Sequence, residues 1–522
     1  MDLVQVLYGC TLLLTTYLAY SYFSKEHRPS PPPGPPGLPL VGHLGMPKDE
    51  PWKVYLQWGE EYGSDVVRFN VLGVNIVVTN TLETSADLLE KRSATYSDRP
   101  PFGLTMINEL SGFAWSIATM RYNSFWRDSR KVLQREYHPN SVQRFRPMVV
   151  EASHQFLRNL LEEPEHFYQH IRHFLGRVLL HSAYGIDVRR KDDPVVQVAE
   201  RGLEAAIAAL SPGQFLVDLI PALKYVPAWV PGAGFQRQAK TWHVYADQML
   251  NMPFDLAKKL LNEGRLPDDC AVRSLLMDVV PSASDPRGME EIVRASLASM
   301  YAAGTDTTVS TLQSFFLAMV LFPEAQAQAQ EAIDSVCHGR LPDFSDYQAL
   351  PYIHALLKEV MRWNPVIPLN LAHVSTSDDV YKGYFIPEGT FMLANTWAIL
   401  HDPDTYADPE KFNPSRFLRT SDSGVLELDP TVRDPDVAAF GFGRRICPGR
   451  HLGYEALWLA VASVLSTFNI SPLADAEGVE QTPKHENEYG FMIFPKPFVC
   501  TIKPRSAQWH ETVNATAEPV SL

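Results

Sequence analysis

The stretch FGFGRRICPGR, Phe440 to Arg450, decides how the rest of the chain is read. Two glycines, Gly441 and Gly443, stand before Cys447 and permit a tight backbone path close to another group. Pro448 and Gly449 follow, and HLGYEALWLAVASVLSTF then reads as a helix. This places Cys447 in a loop just before a helix N-terminus, among Arg444, Arg445 and Arg450. The helix dipole and the nearby cations both favour a thiolate. A thiolate is a nucleophile or a metal ligand. No acyl-transfer partners are evident beside it, so a metal ligand is preferred. Cys10, Cys270, Cys337 and Cys500 lack such surroundings and read as small core residues. Their scatter argues against a disulfide framework and against a paired-cysteine zinc site.

A second stretch, AAGTDTTVS (Ala302 to Ser310), interrupts a long apolar helix, with IVRASLASMY before it and TLQSFFLAMVLF after it. Glycine, aspartate and threonine are poor residues for a helix interior. Taken alone, the stretch reads as a helix break or as a turn between two shorter helices. Local widening of a helix is a common mark of a functional site.

The chain has 522 residues, 45% of them hydrophobic, enough for a large core. A formal net charge of −14 argues against a nucleic-acid binder. Residues Leu3 to Phe23 carry no charge, and as a helix they would reach about 31 Å, the thickness of a hydrocarbon core. Lys25, His27 and Arg28 follow, so residues 3–23 are expected to be a single-pass anchor with the rest of the chain in the cytoplasm. Residues 24–42 are proline-rich and are expected to be a stiff spacer. Residues 43–506 read as one domain, and residues 507–522 as a polar tail. DVVRFNVLGVNIVVTN (Asp65 to Asn80) and DDVYKGYFIPEGTFMLAN (Asp378 to Asn395) read as strand pairs among long amphipathic helices. The expected class is mainly α with small β-sheets (α+β).

Phe440, Gly443, Arg445, Cys447 and Gly449 match the haem-binding loop of the cytochrome P-450 family, whose pattern is F-x-x-G-x-R-x-C-x-G. Glu359 and Arg362 resemble its E-x-x-R helix, and FNPSRF resembles the segment that supplies Arg416. Ser415 stands where the family usually has glutamate. Trp126 and Arg130 match W-x-x-x-R, and AAGTDTTVS matches the oxygen-activating helix. The motifs keep the family's order over nearly the whole chain, and their details look most like fungal secondary-metabolism members.

The resemblance implies haem b (iron protoporphyrin IX), with Cys447 as axial ligand of the iron. In this family the axial thiolate pushes electron density towards O–O cleavage. Gly443 and Gly449 would let the backbone pass close to the porphyrin and aim N–H groups at the sulfur. Trp126, Arg130, His373 and Arg445 would bind the propionates. Glu359, Arg362 and Arg416 would form a structural cluster. Gly304 would clear space for the helix over the haem, Thr307 would offer its hydroxyl to dioxygen, and Asp306 would feed protons from solvent. The row Arg127, Lys131 and Arg135 would dock an acidic electron donor.

The implied activity is insertion of one oxygen atom from O2 into a small hydrophobic compound. Electrons would come from NADPH through a separate NADPH-cytochrome P-450 reductase. A terpenoid is the first expectation, ahead of a polyketide or an aromatic (indole) compound. Phe102, Met106, Phe113, Ile367, Leu371 and Phe491 are the expected pocket residues. The endoplasmic reticulum membrane is the expected location. Two alternatives stay open: a haem-thiolate isomerase or dehydratase that does not use O2, and a haem-based binding or sensing protein.

Overall fold

A computed structural model describes residues 29–38, 42–43, 45–101, 103–188, 193–211, 213–475 and 477–517. The longer helices run in chain order as α1 (Pro51–Tyr62), α2 (Ser124–Tyr137), α3 (Arg146–Glu162), α4 (Phe167–Tyr184), α5 (Pro194–Leu210), α6 (Gly234–Asn262), α7 (Pro286–Leu321), α8 (Pro323–Cys337), α9 (Pro351–Trp363), α10 (Arg450–Thr467) and α11 (Ala507–Ala515).

The stretch AAGTDTTVS lies inside α7, which neither breaks nor widens there. Each awkward hydroxyl is satisfied by the helix itself. Thr305 Oγ1 donates to Tyr301 O (2.9 Å), Thr307 to Ala303 O (2.8 Å) and Thr308 to Gly304 O (2.7 Å). Back-bonding of this kind lets polar residues sit in a dry helix without orphaned donors. At its start, Pro286 takes the first position and Asp285 accepts the Gly288 N–H at 3.1 Å. Gly304 serves a helix crossing: a Cβ there would lie 2.8 Å from Leu179 Cδ2 of α4. Gly304 and Leu179 also both line the cavity described below. Below the site the helix is largely apolar, with Leu312, Phe315, Phe316 and Met319 buried in the main core. Burying each of these contributes roughly 1.5–3 kcal/mol.

The strands lie to one side: β1 (Val66–Val71), β2 (Val74–Thr79), β3 (His373–Val374), β4 (Asp379–Tyr381), β5 (Tyr384–Ile386) and β6 (Phe391–Ala394). The first expected strand pair is the hairpin β1–β2. The second divides: β4 pairs with β5, whereas β6 joins the first sheet parallel to β2, giving the order β1-β2-β6-β3. Local alternation cannot show such a long-range partner.

Two expectations need correction. The described part of the proline-rich stretch is not a free spacer but lies along the strands. Pro33 O accepts the Arg68 N–H at 2.8 Å and Ser30 O accepts the Phe385 N–H at 2.9 Å. Proline has no N–H, but a proline-rich stretch still offers carbonyls to a strand edge. Residues 507–515 form α11 instead of a polar tail. Trp509 and Val513, one helical turn apart, are buried, and Arg158 of α3 donates to Thr516 O at 2.9 Å. The expected anchor, residues 3–23, lies outside the described residues. Among the described residues no single helix is long and apolar enough to cross a membrane.

The cluster that fixes the approach to Cys447 is fully buried on α9. Glu359 accepts from Arg362 Nε (2.7 Å) and Nη2 (2.9 Å), from Arg416 Nε (3.2 Å) and from the Asn413 N–H (2.8 Å). Arg362 Nη1 reaches Leu400 O at 3.0 Å, and Arg416 Nη1 reaches Ala407 O at 2.7 Å. Ser415 lies beside the cluster, and its N–H donates to Asn413 Oδ1 at 3.1 Å.

Candidate active site

The Cys447 loop closes on itself, with the Cys447 N–H donating to Phe440 O at 2.8 Å just before α10 begins. The backbone N–H groups of Gly449 and Arg450 point at the thiol. Burial nevertheless pushes the thiol up, outweighing the downward pull of those N–H groups and of Arg130 and Arg450.

Cys447 opens onto an internal cavity of about 350 Å³. The loop residues Phe440 and Gly449 line one side, and Ala303, Asp306 and Thr307 of α7 line another. Phe113, Ile367, Leu371 and Phe491 also reach the wall. Met106 does not. The segment Thr105–Leu110 winds as a wide π-helical turn, which buries Met106 in the core and brings Ile107 to the cavity. Phe102 lies outside the described residues.

A group of buried guanidinium side chains marks one region of the cavity. Trp126 spends its indole N–H on Ile117 O (3.1 Å), and its ring lies under Arg445 (4.3 Å) and Arg130 (5.7 Å). Arg445 donates to Ser97 O (2.8 Å), Ile117 O (3.1 Å) and Met120 O (2.9 Å), and burial lowers its pKa to about 9. Arg130 has no hydrogen-bond or ion-pair partner among the described residues, and burial lowers its pKa too.

Sequence reasoning missed Arg99. It lines the cavity and spends Nε on Ala118 O (2.7 Å) and Nη1 on Leu371 O (2.7 Å). Burial, and then Arg445, hold its pKa well below the usual value. Nothing in the flanking SDRP signals this depth. His373 sits behind these arginines instead of at the wall. One ring nitrogen, Nδ1, lies 2.6 Å from Tyr96 O, and burial with Arg99 pushes its pKa well down.

Asp306 is the sole acidic residue lining the cavity among the described residues, and it pairs with Arg172 of α4 at 2.7 Å. Arg172 was also missed, because α4 and α7 meet only in the fold. The surface row on α2 is largely paired: Lys131 with Asp128 (2.8 Å) and Arg135 with Asp278 (3.1 Å), while Arg127 lies over the Tyr122 ring at 5.6 Å.

A family model, "Cytochrome P450", matches residues 32–502. This chain belongs to the cytochrome P450 family. Curated relatives agree. Tryptamine 4-monooxygenase of Psilocybe cyanescens is 39% identical over 97% of this chain and 99% of its own length. Cytochrome P450 monooxygenase 98 of Postia placenta is 41% identical over 92% of each chain. Cytochrome P450 monooxygenase COX2 of Coprinopsis cinerea is 41% identical over 94% of this chain and 92% of its own. The chain is thus an oxygen-incorporating oxidoreductase, and the P450 family implies a haem-thiolate cofactor.

The residues present fit that cofactor. A haem brings an iron for the Cys447 sulfur and two propionates for a cation-rich region in which Arg130 has no acceptor of its own.

Gly443 is held by the fold and does not line the P450 cavity. Its φ is +55°, and a Cβ would lie 2.3 Å from Leu89 O. Gly443→Ala is expected to cost at least ~1–3 kcal/mol from strain alone, lowering the thermal midpoint. An unchanged midpoint would show that the loop is free to shift.

Proposed function

We propose that this P450 oxidises a small, neutral, largely apolar compound in fungal secondary metabolism, with a terpenoid first and a polyketide or aromatic compound next. The observation that carries this reading is the cavity wall. Its sole carboxylate among the described residues, Asp306, is already paired with Arg172, and the rest of the wall is mostly aliphatic and aromatic, with arginines and a few neutral polar groups such as Ser116, Ser299 and Asn370. A protonated amine would find no free side-chain carboxylate on the described wall. Support for the pathway class comes from the fungal relatives. The uncharged run at 3–23 supports an endoplasmic reticulum anchor, with the catalytic domain in the cytoplasm. Electrons would come from a separate NADPH-dependent flavoprotein reductase.

Haem, which Cys447 would hold, would supply the activation of dioxygen. Arg99, Arg130 and Arg445 would hold and orient its propionates, and the Trp126 ring lies against the last two. The apolar walls exclude water from the reacting face. Thr307 keeps a proton at Oγ1, now given to Ala303 O, and turning the side chain aims it into the cavity. Asp306 and the half-exposed Arg172 connect that point to the surface and can replace the proton.

The test uses the holoenzyme with reductase, labelled dioxygen and a panel of neutral and amine substrates. One labelled oxygen is expected in a neutral product, only when NADPH is present. Thr307→Ala is expected to reduce product per electron pair by about tenfold or more, with peroxide released instead. Unchanged coupling would remove Thr307 from the proton path. Preferred turnover of amines would overturn the neutral-substrate reading.

A further inference from the structure

Residues 111–123, which lead into α2, belong to no helix or strand. No regular ladder fixes them, so side chains must help to do so. Three of their carbonyls receive residues of the propionate region. Ala118 O takes Arg99 Nε, Met120 O takes Arg445 Nη2, and Ile117 O takes both Arg445 Nη1 and the Trp126 indole N–H. The start of this stretch is tied to α7, where Ser299 Oγ accepts the Ile117 N–H at 3.1 Å. The far end is tied to Asp98. Its carboxylate accepts from Arg121 Nε (2.7 Å) and Nη2, from the Tyr122 N–H (2.6 Å) and from the adjacent Arg99 N–H (2.8 Å). Asp98 is itself mounted on β3, its carbonyl accepting the Val374 N–H at 3.0 Å.

We propose that Asp98 is a positioning residue of the haem cradle: it holds the loop 117–122 in the shape that aims Arg99 and Arg445, and so sets how long haem stays bound. The inference rests on the cavity being the haem chamber. Asp98 is buried yet charged. Burial pushes its carboxyl up, but Arg121 and the Tyr122 and Arg99 N–H groups outweigh burial and hold it below the usual carboxylate value. Charge-assisted bonds of this kind are roughly twice as strong as neutral ones. The side chain of Arg121 is 56% exposed and that of Asp98 only 6%, so the carboxylate is neutralised from the solvent side. Among the described residues, Arg99 and Arg445 donate only to neutral carbonyls, which leaves their charge for the propionates. Losing an outer support of this kind typically weakens a metal site about 10–100-fold. Asp98 acts through a loop, so the lower end of that range is expected.

A second buried carboxylate separates this role from plain stability. Asp346 has a side chain 5% exposed and pairs with Arg340, which is 49% exposed. It also accepts a backbone N–H, from Asp343 at 3.0 Å. Its segment, residues 340–346, lends no residue to the cavity.

The experiment follows haem transfer from the holoenzyme to excess apomyoglobin by visible absorbance, together with the denaturation midpoint and hydrogen exchange at 117–122. Asp98→Asn should lose haem about tenfold faster than the unaltered protein, with faster exchange at 117–122. Arg121→Gln removes an exposed side chain without stranding a buried cation, and should change both rates in the same direction. It carries the test if Asp98→Asn does not accumulate. Asp346→Asn should lower the midpoint as Asp98→Asn does and leave haem loss unchanged. Haem loss unaltered in the Asp98 and Arg121 variants, or accelerated equally by Asp346→Asn, would overturn the inference. Faster haem loss without faster exchange at 117–122 would overturn the positioning role, leaving an effect of charge alone. An unaltered protein that takes up no haem would instead overturn the haem-chamber reading.

Discussion

Cys447→Ala is expected to abolish the thiolate-type absorbance of the reduced, carbon monoxide-bound protein and to reduce turnover to background. The loss should far exceed the roughly 10–100-fold typical of removing a supporting contact around a metal. The side chain does two things that no neighbour can replace. Its sulfur is the acceptor for the N–H groups of Gly449 and Arg450, and it is the sole cysteine among the described residues that line the cavity. Its thiolate is the form that ligates iron. The absorbance spectrum, the haem-to-protein ratio and turnover should be measured together. A variant with the same band and rate would mean that another residue ligates the iron.

Glu359→Gln is expected to be the most destabilising single change outside the cavity. Glu359 and Arg362 are both 0% exposed, and Arg416 and the Asn413 N–H lean on the same carboxylate. Neutralising it leaves a buried guanidinium without its counter-charge, a loss of ~3–5 kcal/mol for breaking such a pair. Whole domains are stable by only ~5–15 kcal/mol, so low yield and a sharply lowered denaturation midpoint should follow. Arg419→Ala is the control. Its pair with Glu427 is 2.7 Å long but half exposed, and it should shift stability by less than ~1 kcal/mol. Equal effects from the two variants would mean that the buried cluster carries no special share of stability.

The features that were legible in the sequence are those in which chemistry and local order coincide. The Cys447 loop, the α9 cluster and the polar stretch of α7 each pack unusual residue types into a few positions, so their identity survives without knowledge of the fold. Roles that depend on a distant neighbour were hidden. Gly304 signals a close approach, but only the fold shows that Leu179 is packed against it. Asp306 reads as an acid from the sequence, but its ion-pair partner Arg172 is visible only in the fold. Arg99 carries no local signature, since an arginine before proline is ordinary. Met106 and Ile107 were exchanged because a π-helical turn rotates side chains away from the spacing an α-helix would give. The helix at 507–515 was readable from Trp509 and Val513 at i and i+4, but the polar residues around them obscured it.

The parallel pairing of β2 with β6 also bears on how the protein is made. Ile76 and Phe391 face each other in register, so the hairpin β1–β2 leaves the ribosome roughly 300 residues before its third strand exists. At ~5–20 residues per second, that delay is on the order of tens of seconds. Throughout it, one edge of the hairpin offers free N–H and C=O groups to any extended chain nearby. The nascent protein thus has a period of vulnerability set by translation speed, and a chaperone that covers that edge would be guarding a partner still to be synthesised.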